Sequence, residues 1–443
     1  MRIRLCTLPV VLLVAFINFT PAALARGKAE ALARRAISEN ASEAGAAIAE
    51  LRALGPEGLQ ALLDAYDAEI KRHLAEPAPA AAPYDSAWRR ISFALDAVSQ
   101  QYDSYASRLY WYTDLEQAKA AARASGKPIL SLRLLGNLNE ELSCANSRFF
   151  RTALYANADI SRMLRERFIL HWKSVRPAPR VEIDFGDGRK LVRTITGNSI
   201  HYVLDPSGEV IDALPGLYGP QAFMRELTRA DNLVRQISRL PERGRRDELR
   251  RFYNINGQLL IGAWSADLAR VGVRVPPVDL IERARAERPP SARVAARAAM
   301  TKMTLEIPVV EAMTPYTKPL ETVTDDEVWA KIAALHAGDA RLDPNSIALI
   351  QRQYSFNGAG GRDGLARMVR NFERTMALDT VRNEYLLRTK LYDWLIKGAG
   401  NGGIEALNER VYAELFLTPR TDPWLGLVPA DTYAGIENGG MIR

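Results

Sequence analysis

Between residues 108 and 238, short apolar runs alternate with helical patterns, and the chain on either side reads as helix. Strands that alternate with helices need a sheet with helices packed on it, so the centre is restricted to an α/β arrangement. Asp114 to Ser125 reads as an amphipathic helix, followed by the turn Gly126-Lys127-Pro128. Ile129 to Leu135 is an apolar strand with Arg133 inside it, and the loop Gly136 to Ser143 leads to a short helix headed by Cys144. A helix over about Asp159 to Arg167 and a strand over Phe168 to Trp172 follow. Val181 to Asp184 and Lys190 to Ile195 flank Phe185-Gly186-Asp187-Gly188-Arg189, the pattern of a β-hairpin. Ile200 to Leu204 is a strand, Asp205-Pro206-Ser207-Gly208 a turn, and Glu209 to Asp212 the returning strand. Gly219-Pro220 opens a helix to about Ser238, with proline in the first turn.

The flanks differ in kind. Residues 28–75 are rich in Ala, Leu and Glu and read as two helices joined at Gly55-Pro56-Glu57-Gly58. A stiff Pro/Ala linker over 75–83 leads to a helix over Ser86 to Ser104. From Pro241 onward the pattern is helical, with candidates at 245–253, 258–270, 277–300, 325–337, 345–353, 363–396 and 402–417. The stretch 417–427 is expected to be extended and packed on these helices. The reading is therefore a helical N-terminal region over 26–107, an α/β domain over 108–238 and a helical C-terminal domain over 239–443.

The first 25 residues have the three parts of an export signal: the basic start Met1 to Arg4, the apolar run Leu5 to Phe19, and Ala23-Leu24-Ala25 as a cleavage pattern. The apolar run, about 15 residues, is short for a membrane-spanning helix, which needs roughly 20. The expectation is an exported protein, periplasmic or secreted, with an uncleaved anchor as the alternative. Loss of Arg2 and Arg4 lowers the formal charge from +7 to +5. No basic stripe with interleaved aromatics accompanies that excess, so nucleic acid is not an expected partner. With Cys6 inside the signal, Cys144 is the one cysteine expected to remain. Such a chain has no internal disulfide framework.

The ordered pieces Leu115 to Ser125, Gly126-Lys127-Pro128, Ile129 to Leu134, Tyr155 to Phe168, Gly197 to Leu204, Asp205-Pro206-Ser207-Gly208 and Pro215-Gly216 carry a resemblance. Over about 100 residues the centre resembles the thioredoxin-like superfamily, in particular its exported branch related to the C-terminal domain of the disulfide reductase DsbD. The family pattern is a helix, Gly-Lys-Pro, a buried strand, a CxxC motif heading a helix, then Gly-x-Pro-Thr, a strand and Asp-Pro-x-Gly. The resemblance implies an α/β thioredoxin-like central domain. It places the family's first cysteine on Cys144 and its second on Ser147. Ser199 takes the place of the cis-proline that faces the CxxC and pairs with substrate backbone, with Asn198 beside it as a further binding position. The hairpin around Phe185 to Arg189 lies where the family often has a helix.

A thiol at a helix N-terminus meets unpaired N–H groups and the positive end of the helix dipole, which favour the thiolate. Ser147, one turn on, is placed to donate to the sulfur, and Arg148 adds a nearby cation. A monothiol attacks a disulfide to form a mixed disulfide, releasing one thiolate, and an outside thiol must then resolve it. The alternative is a buried structural cysteine beside Phe149 and Phe150, since free cysteine is among the most buried residue types. Of the four histidines, His73, His171, His201 and His336, the second and third fall on strands expected to be neighbours. No phosphate loop, zinc-protease, haem or hydrolase motif occurs, so no cofactor and no metal site is expected. Two functions remain open. One is a non-catalytic thioredoxin-like scaffold or binding module with a protein partner. The other is a monothiol oxidoreductase or redox-responsive protein that uses Cys144 and an external thiol.

Overall fold

The computed structural model describes residues 21–75, 86–194, 197–275, 317–353 and 361–422. Positions 1–20 of the expected export signal lie outside the described residues, as do 76–83 of the linker, the helix expected over 277–300 and positions 423–427 of the C-terminal stretch.

The centre is a mixed five-stranded sheet. Its strands are β1 (Trp111–Tyr112), β2 (Ile129–Leu135), β3 (Ile169–Arg176), β6 (Ile200–Leu204) and β7 (Val210–Pro215), in the order β1-β3-β2-β6-β7. β1, β3 and β2 run parallel, whereas β6 and β7 are antiparallel to their neighbours. The hairpin β4 (Arg180–Asp184) and β5 (Lys190–Thr194) stands apart as its own two-stranded sheet. Every residue of β2, β6 and β7 is buried. Both faces of these strands are covered, which explains their near-continuous apolar runs.

Local chemistry sets the boundaries. Asp114 caps helix Leu115–Ser125 by accepting from the Gln117 N–H at 2.8 Å, and Gly126 ends it at φ 71°. In the β6–β7 turn, Asp205 Oδ1 accepts from the N–H groups of Ser207 (2.8 Å) and Glu209 (2.9 Å).

The N-terminal region holds four helices over 21–75 where the sequence pattern suggested two: Pro21–Arg35, Ala41–Ala53, Pro56–Ala65 and Asp67–Ala75. One extra break is at Asn40, whose Oδ1 accepts from Ser42 N (3.0 Å) and Glu43 N (3.2 Å) and starts a new helix. These helices and Ser86–Ser99 enclose their own core around Leu51, Leu62, Ile70 and Leu95. Arg52 ties this core to the sheet by donating to the carbonyls of Val98 (2.8 Å) and Trp111 (2.5 Å).

On the C-terminal side the pieces expected at 245–253 and 258–270 form one helix, Glu242–Arg270. The Asn254 to Gly257 stretch weakens a helix by up to about 1 kcal/mol per residue. Burial of Leu249, Tyr253, Trp264 and Leu268 along the same helix offsets that, at roughly 1.5–3 kcal/mol per large apolar side chain. The single helix expected over 363–396 is Gly361–Arg382 and Thr389–Ile396 joined by a π-helical turn, Asn383–Arg388. A short helix at Lys318–Thr322 had no counterpart in the sequence reading. The sheet and these helices share one hydrophobic core, which runs from Leu109 to Phe416. No described helix is long and apolar enough to cross a membrane.

Candidate functional site

Cys144 sits where β2 hands the chain to helix Ala145–Phe149. Its N–H donates to the Leu135 carbonyl at 3.2 Å, which pins the cysteine to the end of the strand. Its sulfur does not cap the helix and lies 3.2 Å from Ser199 Oγ, 55 residues further on. Ser199 Oγ in turn donates to the Gly197 carbonyl at 3.3 Å. A hydroxyl has one proton to give, so the thiol S–H is left as donor to Ser199. Cys144 is 0% exposed and belongs to the main core together with Phe150.

Ser147 is buried too, and its hydroxyl does not serve the sulfur. It donates to the Cys144 carbonyl (2.8 Å), as a serine in the first turn does when it bonds back along the chain, and accepts from the Ser143 hydroxyl (2.6 Å). Arg148 is half-buried on the same short helix, and its backbone N–H donates to the Cys144 carbonyl at 3.2 Å. Asn198 is half-buried beside Ser199. Its side chain donates to Thr418 Oγ1 (3.2 Å), and its carbonyl accepts from the Tyr412 hydroxyl (2.8 Å).

Those last contacts bring the 412–418 segment against the residue next to Ser199. Tyr412 is buried and is among the groups that interact electrostatically with Cys144; burial and that neighbour push its hydroxyl well above the usual tyrosine range. Thr418 closes onto Tyr412 through its N–H (2.8 Å), and Arg176 at the end of β3 donates to the Thr418 carbonyl (2.7 Å). Thr194, at the end of β5, donates to the Ser143 carbonyl (2.8 Å). Residues near the C-terminus and the hairpin thus lie over the segment in which the sequence placed a nucleophile. The resemblance gave no signal for this cover, because Tyr412 and Thr418 lie outside the residues that carry it.

The two strand histidines are not neighbours. β2 lies between β3 and β6, with Ser131 paired to His171 and Leu132 paired to His201. Successive residues of a strand face opposite sides, so the two rings lie on opposite faces of the sheet and neither pairs with the thiol. His171 Nδ1 is 2.8 Å from Ser131 Oγ, and that hydroxyl accepts from Arg133 Nη1 at 2.7 Å. Burial, with the Arg133 and Lys173 charges, pushes His171 down to about 3, so the ring is neutral, and Arg133 Nη1, which can only donate, lies 3.4 Å from Nδ1 and marks it as the acceptor. His201 Nε2 is 2.7 Å from the Tyr155 hydroxyl, and the ring packs between Phe150 and Phe223 at 4.6 and 5.0 Å. Burial alone pushes His201 down to about 3. Both are neutral structural histidines at neutral pH.

Buried charges mark the seam between sheet and C-terminal helices. Arg133, inside β2, donates to Glu405 at 2.9 Å, and Lys173 reaches the same carboxylate at 3.1 Å. Arg388, in the π-helical turn, pairs with Asp212 of β7 at 2.6 Å and with Glu226 of helix Pro220–Ile237. Further out, Asp267 accepts from the Tyr385 hydroxyl (2.7 Å) and lies 2.6 Å from His336 Nε2. His73 stacks on Trp88 in the N-terminal region. Among the described residues no group of three or more His, Cys, Asp or Glu side chains is arranged to hold a metal ion. The chain matches no protein-family model, and no curated protein or solved structure is significantly similar to it.

Proposed function

We propose that the chain is an exported thioredoxin-like protein without the dithiol motif, acting as a non-catalytic scaffold or binding module. A mixed sheet flanked by helices, with a cysteine at the head of the helix after β2, is compatible with that fold. The contact between Cys144 and Ser199 adds support, because the resemblance matched these residues separately to two positions that face each other in the family. The observation that carries the functional reading is the state of the sulfur. It is wholly buried, hydrogen-bonded to Ser199, and near enough to the buried Tyr412 to interact with it electrostatically. A nucleophilic thiol must reach its disulfide as thiolate, whereas this sulfur has no exposed surface and, among the described residues, its side-chain hydrogen-bond partner is the neutral Ser199 hydroxyl.

The facing Ser199 hydroxyl favours one second reading, a monothiol oxidoreductase whose cover over 411–418 opens before reaction. Reduction of a glutathionylated peptide, with glutathione as the resolving thiol, separates the two. The scaffold reading expects identical rates for the wild type and Cys144→Ser. Turnover that depends on Cys144 overturns it in favour of the monothiol enzyme.

A further inference from the structure

A cleft of about 920 Å³ opens beside helix Ser86–Ser99. Part of its lining is aromatic. Trp88 stacks on His73 with ring centroids 3.8 Å apart, and Tyr105 meets both rings edge-on at 5.2 Å. Phe93, also in the lining, is 68% exposed. The same cleft is lined by two half-buried carboxylates, Asp96 and Asp103. Asp96 accepts from Ser104 N and Oγ (both 2.8 Å) and from Asp103 N (3.1 Å). Asp103 Oδ2 accepts from Gln353 Nε2 (2.8 Å).

No described Lys, Arg or His forms an ion pair with either carboxylate. The buried cation Arg151 donates instead to the carbonyls of Leu138, Glu140 and Glu141 and lies over the Tyr102 ring at 5.0 Å. Arg90, which also lines the cleft, pairs with Glu39 at 3.5 Å. The backbone that presents the carboxylates is strained: Gln100 (φ 62°), Asp103 (φ 58°) and Arg108 (φ 57°) are non-glycine residues in the left-handed region. Strain of this kind concentrates at functional sites.

We propose that this cleft binds an organic cation, an alkylammonium group seated between the Trp88 and Tyr105 rings and the Asp96 and Asp103 carboxylates. Aromatic faces attract cations through the ring quadrupole, most strongly when the cation is partly desolvated. The two carboxylates supply the counter-charge, which the buried Arg151 guanidinium offsets only in part, since it interacts electrostatically with both but forms an ion pair with neither. Burial and the neighbouring Asp103 charge push Asp96 up to about 7, so near neutral pH a proton competes for the place an ammonium would take. The cleft shares no residue with the Cys144 site, so it stands apart from the scaffold reading.

The test is calorimetric titration of the full chain at pH 7.5 with butylammonium and tetramethylammonium chloride, and with the neutral probes 1-butanol and glucose. Saturable binding of the ammonium ions alone is expected, weakened at least tenfold by Asp103→Asn and several-fold by Phe93→Ala. The exposure of Phe93 keeps that second variant informative if Asp103→Asn does not fold. Absence of saturable ammonium binding, equal binding of a neutral probe, or affinity unchanged in the folded variants overturns the proposal.

Discussion

Replacement of Arg388 by leucine tests whether the C-terminal helices are built into the sheet's core or merely rest on it. Arg388, Asp212 and Glu226 are all within 3% of full burial, and the guanidinium bridges β7 and helix Pro220–Ile237 from the π-helical turn. Glu226 keeps other cations in the variant, Arg229 at 2.9 Å and Arg225 at 3.4 Å. Burial pushes Glu226 up, but Arg388 and Arg229 outweigh that and hold it below the usual carboxylate range. Among the described residues Asp212 keeps only the Ala213 N–H at 2.8 Å, and burial already raises it above the usual range despite Arg388. The cost of Arg388→Leu therefore falls on Asp212. Breaking one side of a buried ion pair costs about 3–5 kcal/mol, a large share of the roughly 5–15 kcal/mol that holds a domain together. Urea unfolding at pH 7, followed by tryptophan fluorescence, measures it. Asp212 binds its proton more readily folded than unfolded, so the deficit is expected to shrink as pH falls from 7 toward 5. Adding Asp212→Asn is expected to recover most of the loss, because both buried charges are then gone. A loss under about 1 kcal/mol at pH 7, or no recovery in the double variant, refutes the reasoning.

Two further perturbations follow from the same seam and from the buried rings. A methyl group on Gly219 would meet the Asp339 carbonyl and lie 2.7 Å from Ala340 Cα, both backbone atoms. Gly219→Ala is expected to lower stability by about 1–3 kcal/mol in urea unfolding, and a neutral result would mean that the turn and the 337–340 segment are not in contact. His201 has a folded value of about 3 against an unfolded value of about 6.5, so between these the unfolded chain binds a proton that the folded chain does not. Its stabilising effect is thus complete above about pH 6.5 and is lost as pH falls toward 3. His201→Phe is expected to flatten the slope of stability against pH by about 1.4 kcal/mol per unit near pH 5, and an unchanged slope would show that the ring is not buried neutral. Asp96, raised to about 7, gives the opposite slope but is common to both proteins and cancels in the difference.

What was legible in the sequence was local. Ile129 to Leu135 reads as a buried strand because both faces are apolar, and Asp205-Pro206-Ser207-Gly208 reads as a turn because Asp205 bonds its own backbone two and four residues on. The Cys144–Ser199 contact was reachable only through a resemblance that assigned both residues positions facing each other. Strand order was not legible, so the strands of His171 and His201 were expected to be neighbours, whereas β2 lies between them and the two rings stand on opposite faces. The Ser147 hydroxyl was expected at the sulfur, but a nearer acceptor, the Cys144 carbonyl, takes it. The cover by Tyr412, the Arg133–Glu405 pair and the Arg388 network join residues more than 150 positions apart. No periodicity or turn signal encodes such pairs.

The most direct test of the scaffold reading is the rate at which iodoacetamide labels Cys144 in the native protein at neutral pH. A sulfur with no exposed area reacts only when the structure opens, and core opening approaches the global unfolding free energy. Labelling at least about a thousandfold slower than that of the urea-unfolded chain is expected. A native rate within about tenfold of the unfolded rate would mean that the thiol is open to solvent and would contradict a non-catalytic role for this fold.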